Sequence, residues 1–87
     1  MHDQSTAAAA IRLGLQLTHW TISDLWVAAT GIGGSLSHRD VDNIATGQLL
    51  ATAIEHDILA TALNEHLTDQ GHNRPIRYWR DLPPLQT

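Results

Sequence analysis

The sequence of 87 residues predicts an all-α domain of four main helices with a short C-terminal tail. The first observation is a helix-start pattern, Ser or Thr followed three residues later by Asp or Glu, which occurs three times. The second is a glycine after each segment that this pattern opens. The third is that no stretch alternates apolar and polar residues for long enough to favour a strand, apart from a short IRYW segment.

The first helix is predicted over about residues 6–18, in TAAAAIRLGLQLTH, because alanine and leucine favour helix. Its polar residues Arg12 and Gln16 share one narrow face, so most of its surface is apolar.

The next three helices each begin at a capping box. In this motif the hydroxyl of a Ser or Thr accepts the backbone N–H of the third residue after it, and the carboxylate of that third residue accepts the backbone N–H of the Ser or Thr. Each ends before a glycine that can adopt the left-handed conformation. The boxes are Thr21 with Asp24, Ser37 with Asp40 and Thr52 with Glu55; the glycines are Gly31, Gly47 and Gly71; the helices span about 22–30, 38–46 and 53–70.

The last long helix is predicted to be central, because its apolar arc covers about 180°, wider than a surface helix needs. A face of this helix or of the first could therefore be reserved for a partner or a second copy. The arc consists of Ile58, Leu59, Ala62, Leu63, His66 and Leu67.

The chain is predicted to form one domain over residues 1–87, with a flexible N-terminus at 1–5 and a tail at 72–87. At this length a second independent core is not expected. After Pro75, the IRYW segment fits a short helix and an extended arm equally well.

Composition excludes several classes of protein. There is no cysteine, so disulfides and thiolate chemistry are excluded. No apolar run approaches the roughly 20 residues needed to cross a bilayer, and the start lacks a secretory signal, so we expect a soluble, cytoplasmic protein. The formal charge is -4, with an acidic body and a tail that adds Arg74, Arg77 and Arg80.

Metal, nucleotide and catalytic chemistry are not expected, and no cofactor is predicted. His38 with Asp42, and His66 with Asp69, share helix faces, but no zinc signature is present. The glycines of TGIGGSL follow a helix, and a leucine interrupts the phosphate-loop pattern. The serines near histidines are Ser23, Ser35 and Ser37, but no GxSxG elbow is present.

The segments TISDLWVAATGIGGSLSHRDVDNIATG and TAIEHDILATALNEHL resemble helix-turn-helix domains of the phage-repressor type, over about residues 8–67. The resemblance implies that the second helix of the motif enters the DNA major groove. By position it implicates His38, Arg39, Asp42 and Asn43. The connection GIGGSLS is longer than the tight turn of that family.

Electrostatics disfavours DNA, because affinity for duplex rests on several Lys or Arg residues that neutralise phosphates. The helix that would read the bases offers only Arg39, against Asp40 and Asp42.

The elements LW, GG and ALNE are also similar to small uncharacterised actinobacterial helical proteins. That resemblance implies that Trp26 anchors the core and that Asn64 bonds a loop.

We therefore predict a non-enzymatic regulatory or adaptor module that binds another protein or itself, as a homodimer. The predicted partner-binding residues are Arg77, Tyr78, Trp79 and Arg80, because aromatic residues and arginine are enriched at interface hot spots. In the alternative interpretation these aromatic residues cap the core while the arginines stay solvated. The alternative function is a dimeric DNA-binding regulator, in which His38, Arg39 and Asn43 meet DNA and the tail arginines contact phosphate.

Overall fold

The computed structural model describes residues 4–82 and has four α-helices and no strand within them. The flexible N-terminus is predicted at 1–5, and its positions 1–3 lie outside the described residues. The end of the tail, at 83–87, also lies outside them. The helices are α1 (Gln4–Thr18), α2 (Ile22–Gly31), α3 (His38–Thr46) and α4 (Ala53–Asp69), followed by a 3₁₀ helix (Trp79–Asp81). The all-α, four-helix prediction is confirmed.

All three predicted capping boxes form in full. The hydroxyl oxygens of Thr21, Ser37 and Thr52 accept the third residue's N–H at 3.1–3.2 Å. The facing carboxylates accept the cap residue's own N–H at 2.9–3.4 Å. Each cap contributes about 1 kcal/mol to helix stability, which explains why sequence reasoning places these starts correctly.

All three predicted helix ends agree with the structure to within one residue, and two of the three predicted left-handed glycines are confirmed. Gly47 (φ 83°) and Gly71 (φ 94°) adopt the left-handed conformation. Gly31 does not; it is the last residue of α2, and Gly33 (φ 100°) ends the helix instead. The reason lies in Gly34, whose N–H donates to the Ala29 carbonyl at 2.9 Å and where a Cβ would lie 2.8 Å from that same oxygen.

Helix α4 is the central element, as predicted, and it packs against α1, α2 and the 3₁₀ helix. Helix α3 packs against α1 and α2. Along α4, the Trp20 ring stacks on His66 at a centroid distance of 4.6 Å, and the Gly34 end of α2 lies at Ile58, so α2 runs antiparallel to α4.

Helices α1 and α4 approach closely at Gly14, where a Cβ would lie 2.5 Å from the Leu63 side chain. Arg12 extends from the other side of α1 and donates to the Ala45 carbonyl of α3 at 2.9 Å. The core between the four helices includes Ile11, Leu25, Val41, Ile44, Leu59, Leu63 and Leu67, all fully buried.

The tail from residue 72 onward returns along α4 toward its N-terminus. Ile76 hydrogen-bonds to Asn64. Further along the tail, Trp79 hydrogen-bonds to Asp57, which lies about two turns before Asn64 in α4. Ile76 and Leu82 are buried. Both predicted forms of the IRYW segment are therefore present in part: the chain is extended up to Tyr78 and then forms a 3₁₀ turn.

Among residues 4–82, no helix is both long enough and apolar enough to cross a membrane.

Candidate functional site

Three polar side chains of α4 fix the tail in place, and we call this contact the tail seam (residues 75–79 on Asn64, His56 and Asp57). Asn64 is buried; its Nδ2 donates to the Ile76 carbonyl at 2.9 Å, and its Oδ1 accepts the Ile76 N–H at 2.9 Å. An amide side chain can therefore satisfy both backbone groups of a residue that has no sheet or helix partner. The implied role of Asn64 as a residue that bonds a loop is confirmed.

His56 is fully buried, and its Nε2–H donates to the Arg77 carbonyl at 2.9 Å, since a carbonyl can only accept. Its ring also meets the edge of Trp79 at a centroid distance of 5.8 Å. On the next residue of α4, the Asp57 carboxylate accepts the Trp79 N–H at 2.7 Å. The seam therefore combines charge-assisted, amide and imidazole hydrogen bonds with apolar burial.

The predicted partner-binding residues lie along this seam. Tyr78 and Trp79 are half-buried, and Tyr78 packs against the core. Arg77 and Arg80 are exposed. This arrangement is that of the alternative interpretation, with the aromatic rings packed within the chain and the arginines in solvent.

A cleft of about 410 Å³ opens between the outer face of α4 and the tail, and we call it the α4–tail cleft. Asn64 lies at its base, where it is already bonded to Ile76. Its walls carry side chains of both charges, hydroxyls and one aromatic ring: Thr61, Glu65, Thr68 and Asp69 from α4, and Arg74 and Tyr78 from the tail.

Three large aliphatic side chains are exposed where α3 connects to α4, and we call this surface the α3–α4 corner (Leu49, Leu50 and Ile54). Their exposed fractions are 39%, 43% and 74%. Ile54 lies in the first turn of α4, one turn before the partly buried Ile58 on the same stripe. The corner therefore extends an apolar stripe from the core to the surface.

The other large aliphatic residues exposed among positions 6–82 are separate in sequence from the corner: Leu13 on α1, Val27 on α2 and Ile32 directly after α2. Leu13 lines a cleft between α1 and the tail together with Ala10 and Pro75. Val27 lies on an outer face of α2 that otherwise carries polar residues, and a single apolar side chain of this kind is ordinary on a protein surface.

Helix α3 presents the residues of the predicted DNA-binding alternative on its outer side. His38 and Arg39 are exposed, whereas Asn43 is half-buried. The backbone carbonyl of Asn43 accepts the N–H groups of Gln48 and Leu49. The opposite side of α3 is buried in the core. Asp42 is also exposed on this helix, so its outer face carries both signs of charge.

Sequence reasoning named Ser23 and His38 separately, and the structure joins them. Ser23 Oγ and His38 Nε2 share a hydrogen bond of 2.9 Å, and the His38 ring meets the edge of Trp26 at 5.8 Å. The Trp26 indole N–H donates to the Leu36 carbonyl at 3.0 Å. Ser23 lies in the first turn of α2, and His38 is the first residue of α3. The segment that connects the two helices therefore runs back along α2, so that α3 begins beside the start of α2.

The predicted histidine and carboxylate pairs do not assemble into a larger cluster. His38 lies at Ser23 and Trp26, and His66 lies against Trp20. Within residues 4–82, no group of three or more His, Asp or Glu side chains could hold a metal ion.

Comparison with known proteins finds no matching family model, no matching curated protein and no matching solved structure.

Two surfaces were missed by sequence reasoning. The α4–tail cleft depends on the path of the tail, which is set by a bond between residues twelve positions apart. The α3–α4 corner did leave a signal: the LLATAI segment places three aliphatic residues around a capping box, where the chain is normally exposed.

Proposed function

We propose that this protein is a small non-enzymatic regulatory or adaptor module that acts by binding another protein or a second copy of itself. The observation that carries the proposal is the α3–α4 corner, where Leu49, Leu50 and Ile54 are all exposed within six residues of the chain. Large apolar side chains exposed close together on a small domain are typical of interaction sites.

Burial of the corner supplies part of the energy that specific binding requires. Full burial of an exposed Ile or Leu side chain contributes about 1.5–3 kcal/mol, and the exposed parts of Leu49, Leu50 and Ile54 together amount to about one and a half side chains. A partner that covers all three would therefore gain about 2–5 kcal/mol, and contacts around the corner supply the rest of what association costs.

The tail contributes less to this proposal than the sequence alone predicts. Its aromatic residues already pack within the chain, Trp79 on His56 and Tyr78 against the core. Arg77 and Arg80 remain exposed and are available as polar contacts at the rim of an interface.

The test is substitution of Ile54→Glu, with Val27→Glu as the matched control. Both remove an exposed aliphatic side chain from a helix and add one negative charge, and a carboxylate in the first turn of α4 is compatible with the helix dipole. We expect Ile54→Glu to abolish co-purification of the partner from native cells, or self-association in sedimentation velocity, and Val27→Glu to retain it. Equal binding by both variants would contradict the proposal, as would a wild-type protein that neither self-associates nor retains a partner.

The second candidate function is DNA binding, and the observation that favours it is the joint exposure of His38 and Arg39 on α3. Against it stand the exposed Asp42 and the return of the connection along α2, which differs from the tight turn of helix-turn-helix proteins. A mobility shift at low salt that weakens steeply with salt and disappears in Arg39→Ala would support DNA binding. The absence of a shift at micromolar protein would exclude it.

A further inference from the structure

The α4–tail cleft carries two exposed carboxylates on one face of α4. Glu65 and Asp69 are four residues apart on α4, where like charges repel at a cost of about 0.2–0.5 kcal/mol. Asp69 is also the last residue of α4, the end at which a helix dipole disfavours a carboxylate.

No ion pair within the described residues offsets this cost. Neither Glu65 nor Asp69 is paired with Arg74, although all three line the same cleft. Arg74 itself has φ of 48°, in the left-handed region that non-glycine residues rarely occupy. Two residues later, both backbone groups of Ile76 are bonded to Asn64.

The remaining walls suit an organic cation. The half-buried ring of Tyr78 faces the cleft, and an aromatic face attracts a guanidinium or ammonium group within about 6 Å. The hydroxyls of Thr61 and Thr68 can accept further N–H groups. The volume of about 410 Å³ is within the range of ligand sites and exceeds that of a single side chain.

We propose that the α4–tail cleft binds a basic side chain of a partner polypeptide, with its guanidinium or ammonium group at Glu65 and Asp69 against Tyr78. Arg74, on the opposite wall, binds a carbonyl or carboxylate of the same segment. This inference rests on the proposed function, because it names the chemistry of the polypeptide that the module recognises.

The experiment uses the full chain labelled with ¹⁵N and the peptide acetyl-Gly-Arg-Gly-amide as probe. The control peptide carries citrulline in place of arginine, which keeps the shape of the side chain and removes its charge. We expect saturable amide shifts in residues 61–69 and 74–78, with a dissociation constant on the order of millimolar, and binding of the citrulline peptide about tenfold weaker or absent.

Variants distinguish binding in the cleft from non-specific attraction of a basic peptide to the acidic surface. Glu65→Gln and Asp69→Asn should each weaken binding about threefold, a size expected for one solvent-accessible charge pair. Asp42→Asn removes one carboxylate from the exposed face of α3 and should leave binding unchanged.

Three results would overturn the inference: no saturable shift with the arginine peptide, equal shifts with the citrulline peptide, or equal loss of binding in Asp42→Asn. These results are independent of the Ile54→Glu experiment. Loss of partner in Ile54→Glu together with no peptide binding would leave the proposed function standing and reject the cleft; peptide binding with no effect of Ile54→Glu would do the reverse.

Discussion

The tail seam and the α3–α4 corner both present aliphatic surface at α4, but only one of them is covered by the chain. At the seam, the tail buries Ile76 and bonds to Asn64, His56 and Asp57. At the corner, Ile54 remains 74% exposed, and its neighbours Leu49 and Leu50 are exposed as well. The seam therefore shows aliphatic surface of α4 that the chain itself buries, whereas the corner leaves aliphatic surface exposed for a partner to bury.

The comparison changes how the broad apolar arc of α4 is interpreted. From the sequence, that width could reflect a surface kept for a partner. In the structure α1 and α2 cover the predicted arc, and the tail bonds to a further buried face beside it, which includes His56, Ala60 and Asn64. The width of a helical apolar arc therefore does not identify an interface unless the segments that follow the helix are accounted for.

The largest effect is expected at the seam, in Asn64→Ala. This change leaves the N–H and carbonyl of Ile76 buried without their partner, at a cost of about 3 kcal/mol in the free energy of unfolding. The check is urea denaturation followed by circular dichroism. Asn73→Ala, at an exposed position in the preceding loop, serves as control and should change stability by less than about 0.5 kcal/mol. Equal stability of the two variants would show that the tail does not pack as described.

A smaller effect is expected in Trp79→Ala. The lost contact with His56 should cost about 2 kcal/mol, below the range for a fully buried Trp because this ring is half-buried. Arg80→Ala, one residue later and exposed, should be close to neutral. Both variants should also be tested for partner binding. If Trp79→Ala changes neither binding nor oligomeric state, the tail is not the partner surface, whereas a loss of binding at full stability would assign it that role.

The smallest effect on stability is expected at the corner, in Ile54→Ser. Because Ile54 is 74% exposed, the free energy of unfolding should change by less than about 0.5 kcal/mol. Partner binding should nevertheless weaken by about tenfold, the size expected when one aliphatic side chain is removed from an interface. A destabilisation above about 1 kcal/mol would mean that the corner belongs to the core and is not a free surface.

The sequence predicts the helices well because their starts are determined locally. Each capping box lies within four residues, and the observed ends of the helices agree with prediction to within two residues. The left-handed glycine after α2 is Gly33 and not the predicted Gly31, because three glycines follow one another closely. Only Gly34 sits against a backbone oxygen, and that contact, rather than composition, makes the Gly33 turn the end of the helix.

The candidate sites were harder to predict because they depend on contacts between distant residues. The bond between Ser23 and His38 spans fifteen positions and requires the connection to run back along α2. The α4–tail cleft requires the tail to return past Asn64, and nothing in IRYW alone sets that direction. Helical periodicity also does not predict that Ile54 is exposed, because Ile54 lies in the first turn of α4, which extends beyond the core.

Site-specific photo-cross-linking in native cells tests the central claim most directly. A photoreactive amino acid is placed in turn at the positions of Ile54 in the corner, Arg77 in the seam and Val27 on the outer face of α2. We predict a discrete cross-linked product, to a partner protein or to a second copy, from position 54 and none from position 27, and a product from position 77 only together with the one from position 54. A product from position 77 with none from position 54 would contradict the assignment and place the partner on the tail.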